Sequence, residues 1–142
     1  MGWTRATAAR FASATPQFTV PDVKRTAEYY RDVLGFEIEG YWNGEGVTHA
    51  PDAPPVFGIV RRDQVEVFFN RAQGPEARTG RAKGAYDAYL RVSAIDALAE
   101  ELRSRGADIF DGPVDRIYGQ RELVVRDCNG LILAFGEPTR KT

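Results

Sequence analysis

TVPDVKRTAEYYRDVLGFEIEGYW, Thr19 to Trp42, and LRVSAIDALAEELRSRGADIF, Leu90 to Phe110, follow one plan. Each leaves a short strand, enters a helix whose apolar residues recur at three- and four-residue spacing, and stops at a glycine before the next strand. In the first, Val23, Ala27, Tyr30 and Leu34 share a face over 23–34, Asp22 is placed to cap the helix and Gly35 ends it. In the second, Ile95, Leu98, Ala99 and Leu102 share a face over 95–105 and Gly106 ends it. Setting Val20 against Val92, Val23 against Ile95, Tyr30 against Leu102 and Gly35 against Gly106 aligns the two with one residue of slack in the helix.

The flanking segments repeat as well. PQFTV (16–20) and 87–92 read as the strands ahead of the helices, and 36–42 and 107–110 as those behind them. A hairpin closes each unit: 56–62 and 65–70 around Asp63-Gln64, then 122–135 around Asn129-Gly130, a strong short-range hairpin signal. The expected fold is therefore α+β: two βαβββ modules, 15–70 and 85–136, within one domain of residues 15–137. Residues 71–84, broken by glycine and proline and rich in basic side chains, read as a linker. Residues 1–14 read as an N-terminal arm and 138–142 as a tail.

Bulk composition narrows the function. The chain has 142 residues, 43% of them hydrophobic and 27% charged, which is the make-up of a folded domain rather than a disordered one. Nineteen Lys and Arg against 20 Asp and Glu leave a formal charge of −1, so there is no electrostatic case for nucleic acid or a membrane as partner. One cysteine, Cys128, cannot pair within the chain, which suits a reducing cytoplasm. One histidine, His49, in the loop after the second strand, excludes a site needing two histidines from one chain. No apolar run nears the ~20 residues that span a bilayer.

A strand alternates its faces, so each one offers a core side and a second, mixed side. The core sets are Phe18 and Val20; Val65, Val67 and Phe69; Ala88, Leu90 and Val92; and Leu131, Leu133 and Phe135. The opposite sets are Thr15, Gln17 and Thr19; Glu66, Phe68 and Asn70; Asp87, Tyr89 and Arg91; and Ile132 and Ala134. Such a mixed face is either plain solvent-facing sheet or the wall of a cleft with a few placed polar groups.

DVKRTAEYYRDVLGFEI, PPVFGIVRRDQVEVFF and YGQRELVVRDCNGLILAFGE, in duplicated βαβββ order over residues 15–137, resemble the glyoxalase/bleomycin-resistance/dioxygenase (vicinal-oxygen-chelate) superfamily. The YGQRE-to-FGE ending is most similar to its bleomycin-resistance-like branch. The resemblance implies a cleft built from two modules and a homodimer. Metal-using members place His or Gln, Glu, His and Glu at positions that fall here on Thr15, Glu66, Asp87 and Ala134. Only Glu66 matches, and an alanine cannot coordinate. No metal and no other cofactor is therefore expected, although a shifted register could gather Gln17, Glu66 and Asp87 around a hard cation.

The functional expectation is a metal-independent small-molecule-binding protein for aromatic or antibiotic-like ligands, with sequestration of a drug as its purpose. Flat ligands would stack on Tyr41, Trp42, Phe57, Phe68, Tyr89 and Tyr118, with Trp42 favoured. Glu66 and Asp87 would favour a cation; Arg91 and Arg121 would favour an anion. The alternative is a lyase or isomerase in which Glu66 or Asp87 serves as general base, or holds a divalent metal, while Arg91 or Arg121 steadies an oxyanion. A salt bridge from these carboxylates to Arg91 is the purely structural reading.

Overall fold

The computed structural model describes residues 8–43, 54–72 and 85–139. His49, most of the linker, the first half of the arm and the end of the tail lie outside the described residues. The elements are β1 (Gln17–Val20), α1 (Val23–Asp32), β2 (Glu37–Trp42), β3 (Phe57–Arg62), β4 (Val65–Arg71), β5 (Ala88–Arg91), α2 (Ile95–Ser104), β6 (Asp108–Asp115), β7 (Gln120–Arg126) and β8 (Ile132–Pro138). They form two four-stranded sheets, β1-β4-β3-β2 and β5-β8-β7-β6. In each, the strand before the helix pairs parallel with the last strand and all other pairs are antiparallel. The chain is thus α+β with two βαβββ modules, as the duplicated pattern predicts.

Local chemistry explains the helices. Asp22 caps α1, its Oδ1 accepting the Arg25 N–H at 3.0 Å. The helix ends two residues earlier than the apolar stripe suggests, with Val33 as its C-terminal cap and Gly35 at φ 79° turning the chain into β2. For α2 the preceding residue, Ala94, has no side chain able to cap and sits at φ 55°. The cap comes from β8: the Glu137 carboxylate accepts the N–H groups of Ala94 at 2.9 Å and Ile95 at 3.1 Å. Its negative charge also lies where a helix N-terminus favours one.

β6 runs longer than the four residues expected of it, because two register shifts carry it past Gly112. Gly112, at φ 90°, lies so close to β7 that a Cβ there would overlap the Glu122 carbonyl. A side chain at that point would push the two strands apart.

The helix-covered faces of both sheets contribute to one contiguous core, which includes Phe18, Val20, Val60, Val67 and Phe69 from the first module and Leu90, Leu123, Val125, Leu133 and Phe135 from the second. Each such side chain, fully buried, contributes roughly 1.5–3 kcal/mol. Tyr30 sits edge-on to Phe36 and Phe69, with ring centroids 5.6 and 4.9 Å away. Polar ties join the modules around this core. The Asn129 side-chain amide donates to Thr26 Oγ1 at 2.9 Å. The Arg62 guanidinium holds the Glu101 carboxylate at 2.7 and 3.0 Å while donating to the Leu34 carbonyl at 2.8 Å. With their helix sides turned to a shared core, the two sheets direct their remaining faces outward, away from each other.

Candidate functional site

On the outer face of the first sheet, Trp42, Phe57 and Phe68 stand in a row. Ring centroids are 5.8 Å apart for Trp42–Phe57 and 5.3 Å for Phe57–Phe68, in tilted and edge-to-face geometry. Trp42 reaches this face through an irregularity. The β2–β3 register slips between Ile38 and Gly40, leaving an extra residue on β2. A one-residue slip exchanges the faces of everything beyond it. Tyr41, opposite Gly58, therefore packs against the core, and Trp42, opposite Phe57, faces out. Tyr41 is thereby removed from the stacking candidates.

Glu66 lies on the same outer face, cross-strand from Arg61, whose guanidinium binds it at 2.8 Å. The structural ion pair expected with Arg91 is made with Arg61 instead. Gln17 is exposed beside Phe68 on β1.

The second sheet's outer face is built around a residue to which the sequence reading did not point. Glu122 has 0% exposure, although it is charged. Its Oε2 accepts the Tyr118 hydroxyl at 2.6 Å; its Oε1 accepts Arg116 Nε at 3.0 Å and the Tyr86 hydroxyl at 3.4 Å. The Tyr89 hydroxyl adjoins this carboxylate, and each shifts the other's titration. Burial alone would push the Glu122 carboxyl up; donation from Tyr118, Arg116 and Tyr89, with the guanidinium's charge, outweighs it and holds the group below its ordinary range. Burial, then the adjoining carboxylate, push the Tyr89 phenol up to about 12. The hydrogen bond to Glu122 likewise raises Tyr118. Alternation along β7 was the available signal: Leu123 and Val125 face the core, so Glu122 must face the other way. Arg116 and Tyr86 come from a turn and from the segment before β5, where no periodicity marks them.

Tyr89 is 37% exposed and Tyr118 62% exposed, so their rings form the outer surface over this carboxylate. Tyr89 lies across β8, and a Cβ on Gly136 would overlap its hydroxyl. Ala134, opposite Tyr89 and Val124, is on the expected face but fully buried, so it forms part of the floor rather than an open wall. Arg91 is exposed on the same strand as Tyr89.

Two expected site residues have other work. Asp87 Oδ2 accepts the Ile132 N–H at 2.7 Å, and its own N–H donates to the Ile132 carbonyl at 2.8 Å, which pins the start of β8. Arg121 shares the core-side parity of Leu123 and pairs with Asp96 and Asp115, each at 3.0 Å, near α2. The geometry therefore does not bring Arg121 to the outer face. Among the described residues, no three His, Cys, Asp or Glu side chains gather as a metal site would require. A separate groove of about 470 Å³ lies between the modules on the helix side, lined by Leu34, Phe36, Leu90, Leu98 and Phe135 with Arg62 and Glu101. Of the expected site residues only Arg91 borders it.

The outer faces thus carry aromatic surface and satisfied charges, a combination suited to holding a flat molecule. The family model of the Glyoxalase/Bleomycin resistance protein/Dioxygenase superfamily matches residues 10–135, and the chain belongs to that superfamily. It is 24% identical over 131 residues to the anthracycline biosynthesis protein DauV of Streptomyces sp. (strain C5), a match covering 88% of this chain and 47% of DauV. The chain thus spans about half the length of that curated relative.

Among solved structures it shares its fold with TioX from Micromonospora sp. ML1, at 18% identity and a TM-score of 0.64, covering 89% of this chain and 99% of TioX. It also shares it with TnmS3, an antibiotic binding protein from Streptomyces sp. CB03234, at 18% identity and a TM-score of 0.60, covering 92% and 99% of the two chains. No helix among the described residues is long and apolar enough to cross a membrane.

Proposed function

We propose that this chain binds a flat, polycyclic aromatic molecule of the antibiotic type and holds it without chemical change. The observation that carries the reading is the pair of aromatic outer faces: Trp42, Phe57 and Phe68 on one sheet, and Tyr86, Tyr89 and Tyr118 around Glu122 on the other. Because the two faces point away from each other, one chain cannot close both on one ligand. A homodimer that sets the first sheet of one copy against the second sheet of the other would form two such clefts. The similarity to an anthracycline biosynthesis protein and to an antibiotic binding protein supports this ligand class.

The carboxylates favour binding over catalysis. A general base must have a lone pair free for the substrate's proton. Each carboxylate here is already engaged: Glu122 accepts from Tyr118, Arg116 and Tyr86, Glu66 Oε2 is paired with Arg61, and Asp87 Oδ2 accepts the Ile132 amide. The test is calorimetric titration with anthraquinone, followed by mass spectrometry of the recovered ligand and sedimentation of the loaded protein. The expected result is saturable binding to a dimer with unaltered ligand recovered. Turnover of the ligand, or a stoichiometric divalent metal in protein purified without chelator, would overturn the reading.

A further inference from the structure

A phenol in water both donates and accepts, turning its hydroxyl to suit its neighbour. Around Glu122 that choice is gone. An ionised carboxylate only accepts, so the Tyr118 hydroxyl, 2.6 Å from Oε2, must direct its proton inward, in the short range of charge-assisted bonds. Tyr89 adjoins the same carboxylate, its hydroxyl seated over Gly136. The Tyr118 residue is 62% exposed, so what its oxygen presents outward is lone pairs alone. Arg116 is held beside it by two carboxylates, with Nε on Glu122 at 3.0 Å and a terminal nitrogen on Asp111 at 2.7 Å. Two residues along β7 from Glu122, the buried Gln120 Oε1 has no hydrogen-bond partner.

We propose that this face selects its ligand by hydrogen-bond donors, taking aromatic hydroxyl, amino or ring N–H groups onto the oxygen of Tyr118, beside the Tyr89 ring, and rejecting the same ring system when those groups are capped. An ether in place of a hydroxyl would set its lone pairs against those of Tyr118. A site built to pair a polar hydrogen discriminates against the analogue that lacks it, because an acceptor that the ligand covers is then left unpaired. The inference rests on the proposal that the outer faces bind aromatic ligands, and it names the chemistry they choose.

The probes are a dihydroxyanthraquinone, its dimethyl ether and unsubstituted anthraquinone, titrated into wild type, Glu122→Gln and Tyr118→Phe, each checked for its fold by circular dichroism. Wild type is expected to bind the diol about tenfold more tightly than the ether, on the order of one net hydrogen bond. Glu122→Gln frees the Tyr118 hydroxyl to turn outward as a donor, and the preference should fall to within about twofold. Tyr118→Phe, which leaves the buried carboxylate in place, should weaken the diol several-fold more than anthraquinone. Equal affinity for diol and ether in wild type overturns donor selection while leaving aromatic binding standing. Failure of all three probes to bind removes the binding reading and this one together.

Discussion

The Tyr30 hydroxyl, on the first helix, donates to Asp127 Oδ2 at 2.7 Å across 97 positions of sequence. Asp127 is also the acceptor for the N–H groups of Asn129 and Leu131, at 2.8 and 2.9 Å, so one buried carboxylate shapes the last hairpin turn and ties it to the first module. Burial pushes its carboxyl up, and burial followed by the charge of Asp127 raises the Tyr30 phenol well above its ordinary value.

Tyr30→Phe keeps the ring packing and deletes only the donor. It should cost about 1–3 kcal/mol, the penalty for leaving a buried acceptor short of a partner. Chemical denaturation would measure it. A change below a few tenths of a kcal/mol would mean the modules do not depend on this bond. Anthraquinone affinity should not change, since Tyr30 is on the core side.

Trp42→Ala removes the end of the Trp42–Phe57–Phe68 row and should weaken anthraquinone binding about tenfold or more, as loss of an aromatic anchor does. Trp42→Phe, which keeps a flat ring, should lose less than about threefold. Calorimetry on both variants decides the matter. Unchanged affinity in Trp42→Ala would take this residue out of the site.

Gly136→Ala places a methyl where the Tyr89 hydroxyl lies. Tyr89 must swing away, which moves its hydroxyl off the Glu122 carboxylate it adjoins. The variant should fold, with thermal stability lowered by roughly 1–3 kcal/mol, and its diol-over-ether preference should shrink. A variant with wild-type preference would show that Tyr89 does not need its seat on β8.

Acid should weaken the junction between the modules. The hydrogen bond from Arg62, with its charge and that of Arg105, holds the Glu101 carboxyl below its ordinary value of 4.5. A carboxyl lowered on folding contributes stability that is whole above 4.5 and fades as pH falls through the lowered value. Melting temperatures of wild type and Arg62→Gln, compared from neutral pH to about pH 3, should therefore converge at the acid end. A gap that stays constant with pH would assign the role of Arg62 to its bond with the Leu34 carbonyl instead.

Much of this molecule was legible in its residues. The helical spacing of Val23, Ala27 and Tyr30, and of Ile95, Ala99 and Leu102, marked both helices, and strand alternation placed Phe68 and Tyr89 on outer faces. Arg121 was misplaced although the same alternation, counted from Leu123, sets it on the core side. Trp42 was the favoured stacking residue, but the slip between Ile38 and Gly40 that turns Tyr41 to the core does not follow from simple alternation along Glu37 to Trp42. The Glu122 cluster stayed hidden for another reason: its partners come from a turn, a loop and a neighbouring strand, and only the fold brings them to one carboxylate.

Gly136 and Glu137 are adjacent on the last strand and face opposite ways. Glu137 reaches inward to complete α2, which has no cap of its own, and Gly136 makes room outside for Tyr89. Both jobs depend on the register of β8. If that strand slipped by a single residue, the helix would lose its cap and the tyrosine its seat in the same event. One register thus sets both the inner end of the second helix and the outer seat of Tyr89.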